Sequence, residues 1–73
     1  MRLDALIGQC RRMLAEAGVK EPGTDSRLLA SGVLDLDAAR LIADGDRAIP
    51  DEQVQRLLQA VARRAAGEPV HRI

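Results

Sequence analysis

The side chains that could do chemistry in this sequence are few and far apart. The one imidazole, His71, is the third residue from the end of the 73-residue sequence, where no neighbour is expected to orient it for acid–base catalysis. The one thiol, Cys10, falls on an apolar helical stripe, which predicts a buried small side chain rather than a nucleophile. No glycine-rich phosphate loop, metal-ligand spacing or paired nucleophile and base occurs. We therefore predict no catalytic, cofactor-binding or metal-binding residue in this chain.

Ser26 offers one alternative chemistry. The run Gly23-Thr24-Asp25-Ser26 is similar to the point in acyl and peptidyl carrier proteins where a serine bears a phosphopantetheine arm. Arg27 stands where carriers have leucine, and eleven basic residues balance eleven acidic ones, whereas carriers are usually acidic. We keep a carrier-like domain modified at Ser26 as an alternative, and favour an ordinary serine in the first turn of a helix.

Composition argues against several classes of function. No apolar run approaches the roughly 20 residues that span a membrane, and no signal-peptide core follows Met1. A lone cysteine forms no internal disulfide, as is typical of proteins in a reducing cytosol. The absence of aromatic residues removes base stacking, and a formal net charge of zero supplies no field for nucleic acid or membrane. We expect a cytoplasmic monomer that binds neither nucleic acid nor membrane.

Hydrophobic periodicity predicts helices throughout the chain. Apolar residues from Leu3 to Ala17 follow steps of three and four, and Gly18 can then take a left-handed cap. A second helix is expected to be capped by Thr24 or Asp25. No segment alternates with a period of two, so the sequence predicts an all-α fold.

Two further helices are expected in the second half of the chain. Asp37 is the expected N-cap of a short helix, and Pro50-Asp51-Glu52 has the composition of a helix start. The helix that follows should end before Gly67 and Pro69. Short connections favour one domain over residues 1–73, built as a small antiparallel bundle of four to five helices. Leu6 and Leu58 lie in the middle of their apolar stripes and are predicted at the centre of the core.

The most specific pattern lies at the end of the sequence. Residues 62–73 resemble the Arg-Arg-x-x-Gly-Glu-Pro-x-x-x-Ile signature of the peptide chain release factor glutamine methyltransferases, the PrmC/HemK family. In this chain the signature residues are Arg63, Arg64, Gly67, Glu68, Pro69 and Ile73. Residues 25–29, which begin with Asp25, look like the family's Asp-Ala-x-x-Leu-Leu helix, and residues 51–53 match the usual start of its long helix. The resemblance covers nearly all of the chain.

The resemblance implies a helical N-terminal domain whose catalytic partner lies outside these residues. Members of this family carry a Rossmann-like methyltransferase domain that binds S-adenosylmethionine and holds the substrate amide with an Asn-Pro-Pro-Tyr motif. Their substrate is the glutamine of the Gly-Gly-Gln motif of class I release factors. The implied function is release-factor recognition without catalysis or cofactor binding by this chain alone, and the implied partners are the release factor and the chain's own methyltransferase domain. Pro50 and the pair His71-Arg72 depart from the residues usual in the family.

Arginines are the side chains best suited to contact a partner. Arg56 and Arg63 are seven positions apart and share one outward face of the last long helix, with Arg64 beside it. Guanidinium groups can pair with carboxylates through two hydrogen bonds, so these three are the candidate partner contacts. The competing interpretation is that they are merely solvated, as exposed charges usually are. A free-standing helical interaction module is the remaining alternative for the chain as a whole.

Overall fold

The computed structural model describes all 73 residues and places them in four α-helices and a final 3₁₀ turn. In chain order these are α1 (Leu3–Glu16), α2 (Pro22–Leu34), α3 (Ala38–Ala43), α4 (Asp51–Ala65) and the 3₁₀ turn (Val70–Arg72). The all-α prediction is confirmed, while the antiparallel order of the helices stays a prediction. α1, α2 and α4 pack against one another, and none of the helices is long and apolar enough to cross a membrane.

The hydrophobic core lies between α1, α2 and α4. It consists of Leu3, Leu6, Cys10, Leu14, Leu29, Ala30, Leu34, Leu41, Ile49, Val54, Leu57, Ala60 and Val61. Leu6 is fully buried, as predicted. The prediction for Leu58 is wrong, because Leu57 is the fully buried residue and Leu58 only packs partly buried against the core. Successive residues of an α-helix point about 100° apart, so an error of one position moves a side chain from the centre of the core to its edge.

The helix starts agree with the sequence for α3 and for α4, which begins at Asp51 directly after Pro50, and they differ for α2. Asp37 caps α3, where its carboxylate accepts a hydrogen bond of 2.8 Å from the N–H of Arg40. The prediction that Thr24 or Asp25 caps α2 is wrong, because the helix begins earlier, at Pro22. Proline suits the first position of a helix, since its ring fixes a helical φ and its missing N–H would have had no partner there.

The loop between α3 and α4 closes over the start of α1. The first N–H groups of a helix have no partner inside it. In this molecule the N–H of Leu3 donates to the carbonyl of Arg47 and that of Asp4 to the carbonyl of Gly45, both at 2.9 Å. The connection therefore satisfies two donors of α1 and holds the long helix α4 close to the N-terminus.

Burial of Cys10 predicts a loss of stability in alkali. Its thiol is fully buried, and desolvation raises the pKa from an ordinary 9.0 to about 11. Between these values the unfolded chain has lost the thiol proton while the folded chain keeps it, so the free energy of unfolding falls as the pH rises from 9 to about 11. Urea titrations at several pH values measure this slope, and Cys10→Ala is expected to make it shallower. Equal slopes for the two proteins would contradict the assignment.

Candidate interaction site at the end of the long helix

The turn that ends α4 is closed by two backbone hydrogen bonds. The N–H of Gly67 donates to the carbonyl of Arg64 at 3.0 Å, and the N–H of Glu68 donates to that of Arg63 at 3.1 Å. This pair of bonds is the Schellman motif, in which the residue after the cap takes a positive φ. Gly67 has a φ of +111°, which side chains of L-residues rarely adopt. The signature therefore has glycine at position 67 because the turn that ends α4 requires a positive φ there.

Gly67→Ala tests this reason directly. A positive φ costs an L-residue about 1–2 kcal/mol, so we expect the free energy of unfolding to fall by that amount. Nothing lies within 4 Å of the position that the new Cβ would take, so the loss would come from the backbone rather than from a clash. Chemical denaturation followed by circular dichroism measures it. A variant as stable as the parent would show that the turn relaxes to a negative φ without loss.

Glu68 folds back onto the last turn of α4. Both Nε and Nη2 of Arg63 donate to its Oε2, at 3.0 and 2.7 Å. About half of each side chain is exposed. Exposed ion pairs contribute only about 0.2–1 kcal/mol, so a carboxylate from another protein could replace Glu68 at little cost.

Arg64 makes a different kind of contact, with a residue far away in the sequence. Its Nε donates to Oδ2 of Asp25 at 3.0 Å, which joins the end of α4 to the first turns of α2. Only 24% of the Arg64 side chain and 15% of the Asp25 side chain are exposed. Arg64 of the signature and Asp25 of the Asp-Ala-x-x-Leu-Leu match thus form a mostly buried link between helices. Their separation of 39 positions kept this pairing from being recognised in the sequence.

Pro69 turns the chain back toward α2. A helix does not continue through a proline, and here the 3₁₀ turn begins at the next residue. Val70 and Ile73 then pack, partly buried, against the hydrophobic core on the side of α2. The last residue of the signature therefore serves as an apolar anchor for the final turn.

The three candidate partner contacts are placed unequally. Arg56 and Arg63 are exposed on α4, and Nη2 of Arg56 donates to Glu52, one helical turn earlier, at 3.0 Å. Arg64 is mostly covered and is held by Asp25. The structure thus keeps Arg63 and Arg64 beside the other signature residues and leaves Arg56 nearly two helical turns away. Each of the three guanidinium groups has a carboxylate partner within the chain.

Ser26 is placed where a prosthetic arm has no access. Its side chain is fully buried, and its hydroxyl donates to the carbonyl of Gly23 at 2.9 Å. A carrier serine must present its oxygen to a modifying enzyme. Burial of this hydroxyl therefore argues against the carrier-like alternative. The structure gives Ser26 a packing role instead, because a small side chain fits this buried position and its hydroxyl group is satisfied by the hydrogen bond to Gly23.

One apolar surface was missed by sequence reasoning. Leu28, Leu29, Gly32, Val33, Val70 and Ile73 line a groove of about 240 Å³ between α2 and the final turn, which we call the terminal groove. Leu28 and Leu29 are consecutive in the helix, so they lie on different sides of it, and only Leu29 enters the core. In the sequence, this groove could have been expected from the adjacent Leu28 and Leu29 together with the apolar residues Val70 and Ile73, which no predicted helix accounted for. No cluster of side chains suited to a metal ion is present.

Comparison with known proteins places this chain in a family. Residues 5–73 match the family described as the PrmC N-terminal domain. Three similar curated proteins are release factor glutamine methyltransferases. The one from Rhodospirillum rubrum is 43% identical over 71 residues, which cover 97% of this chain and 22% of that protein. No solved structure matches the chain.

The other two relatives cover the same part of a longer protein. The one from Bradyrhizobium diazoefficiens is 39% identical over 71 residues, covering 92% of this chain and 24% of the relative. The one from Agrobacterium fabrum is 35% identical over 63 residues, covering 86% of this chain and 22% of the relative. The chain thus spans less than a quarter of the length of the curated relatives that it matches.

Proposed function

Because the chain belongs to the PrmC N-terminal domain family, we propose that it is the helical recognition domain of a release factor glutamine methyltransferase. The observation that carries the proposal is the match of nearly the whole chain to three proteins of that name. In the proposed parent enzyme, S-adenosylmethionine and the reacting glutamine are bound by the remaining residues. The domain binds the class I release factor and keeps it near the catalytic domain, and it transfers no methyl group by itself.

The proposed contact surface is the exposed face of α4. Arg56 and Arg63 present guanidinium groups whose present partners, Glu52 and Glu68, are exposed carboxylates. Exchange of one exposed carboxylate for another changes the free energy little, so both arginines can pair with acidic groups of a release factor. Arg64 is proposed as a contact at the edge of this face, with a smaller contribution, since most of its side chain is covered.

The isolated domain is expected to bind weakly. It lacks the Trp and Tyr side chains that dominate most protein interfaces, so its affinity depends on charge and should fall as salt is added. Covalent attachment to the catalytic domain turns weak binding into a high effective concentration. We expect a dissociation constant in the high micromolar range for the isolated domain, measured by titration of labelled release factor.

Deletion of residues 1–73 from the full-length enzyme tests the proposal. We expect the KM for release factor to rise by about tenfold or more, as is usual when a tethered binding module is lost. Cofactor affinity should stay unchanged. The double charge reversal Arg56→Glu with Arg63→Glu should raise the same KM. Arg11→Glu with Arg12→Glu is the matched control, because it changes the net charge equally and both arginines are exposed on α1 rather than α4. An unchanged KM after deletion would make the domain a stability element and overturn the proposal.

A further inference from the structure

The terminal groove is the apolar one of the two cavities in the molecule. Five of its six lining residues are hydrophobic and none is charged, whereas the second cavity is lined by Asp35 and Asp37 among others. Leu28 remains 54% exposed at the rim, although it is a large apolar side chain. Gly32 is exposed where it lines the groove, and nothing lies within 4 Å of the position that a Cβ would take there.

We propose that the terminal groove holds an apolar side chain from the segment that follows residue 73 in the full-length methyltransferase. The inference rests on the proposed function, because it requires the catalytic part of the enzyme to continue from this domain. Docking of that segment would fix the orientation of the helical domain relative to the catalytic domain.

The size of the groove favours an inserted side chain over a protein interface. A cavity of about 150 Å³ is large enough to enclose benzene, so about 240 Å³ suits one large aromatic or aliphatic side chain. A stable interface between separate proteins needs about 800 Å² on each partner. A second copy of the chain or a separate partner would therefore need much more apolar surface than the groove offers.

The position of Ile73 favours the same occupant. Ile73 is itself part of the groove wall, and the matched relatives are more than four times as long as the stretch that they share with this chain. A segment that follows Ile73 starts at the rim of the groove. Its side chains are present there at a high effective concentration, because the tether between them and the groove is very short. The neutral lining is also suited to an apolar side chain rather than a charged one.

Accessibility of methyl groups to a soluble gadolinium chelate tests the proposal. In the 73-residue chain, we expect the chelate to relax the methyl resonances of both Leu28, which is 54% exposed, and Ile42, which is 79% exposed on α3. In the full-length enzyme, we expect the effect on Leu28 to fall several-fold and that on Ile42 to stay. Leu28 methyls equally accessible in both proteins would overturn the proposal, and so would protection that appears only with release factor or is lost on dilution.

Two variants of the full-length enzyme extend the test. Leu28→Ser removes an apolar side chain from the rim of the groove, and Gly32→Leu adds a large side chain in the open space beside its wall. Neither Leu28 nor Gly32 belongs to the core. Both are expected to speed protease cleavage just after residue 73, while the control Ile42→Ser leaves the cleavage rate unchanged. Cleavage at the parent's rate in both groove variants would contradict docking. Methyl transfer to release factor is assayed on the same samples. A parent enzyme that transfers methyl groups while Leu28 stays accessible would overturn the docking inference and leave the proposed function intact. A parent enzyme with no methyl transfer to release factor would overturn the proposed function, whatever the state of the groove.

Discussion

Leu57→Ala is expected to lower the free energy of unfolding by about 2–5 kcal/mol, the largest effect of any single substitution considered for this domain. Leu57 is fully buried in α4, where it packs in the core shared by α1 and α2. Removal of its isobutyl group loses the transfer free energy of the buried atoms and leaves a cavity that the surrounding helices fill only in part. Domains have about 0.05–0.15 kcal/mol of stability per residue, so this loss takes a large share of the total.

Urea denaturation followed by circular dichroism measures the loss, and Leu58→Ala is the matched control. The two leucines are neighbours in the same helix and have the same chemistry, but Leu58 is only partly buried at the edge of the core. We expect the control to lose about 1 kcal/mol, since less apolar surface returns to water. A larger loss for Leu58 than for Leu57 would mean that the buried face of α4 is misassigned.

The fold class could be predicted from the sequence because each long helix carries a clear apolar stripe. The stripe is strong in α1 and α4. The Asp37 carboxylate suits the start of a helix, and Gly18 can take the positive φ that suits the end of one. The start of α2 could not be predicted in the same way, since Pro22 is equally typical of a turn and of the first position of a helix. The choice between Leu57 and Leu58 depends on how α4 rotates against its neighbours, and tertiary packing decides this rotation.

The role of the signature residues was the part least accessible to sequence reasoning. The pattern indicated the family, but nothing in it shows that Arg63 and Arg64 have different partners. The structure separates them, with Arg63 bound to nearby Glu68 and Arg64 bound to distant Asp25. A contact between residues 39 positions apart depends on the packing of α2 against α4. The terminal groove escaped prediction for the same reason, because its two walls come together only in the folded chain.

Asp25→Ala is expected to lower the free energy of unfolding by about 2–3 kcal/mol. This value lies between the roughly 0.2–1 kcal/mol of exposed ion pairs and the 3–5 kcal/mol lost when a fully buried pair is broken. The substitution leaves the guanidinium of Arg64 mostly covered and without its carboxylate, which is the costly part of the change. Chemical denaturation of the domain measures the loss, and Asp51→Ala is a control, because Asp51 is an exposed acid in the first turn of α4.

A double-mutant cycle separates the pair from its surroundings. If Arg64 acts mainly on the fold, Arg64→Met with Asp25→Ala should lose less stability than the two single losses added together, because each single variant already breaks the same hydrogen bond. The KM for release factor is then measured for the same variants in the full-length enzyme. This measurement distinguishes an effect on the stability of the domain from an effect on release-factor binding. Asp25→Ala is expected to leave the KM nearly unchanged at a temperature where the domain stays folded, whereas reversal of Arg56 and Arg63 is expected to raise it. Additive stability losses, together with a KM that rises only when Arg64 is replaced, would instead assign Arg64 to the partner surface.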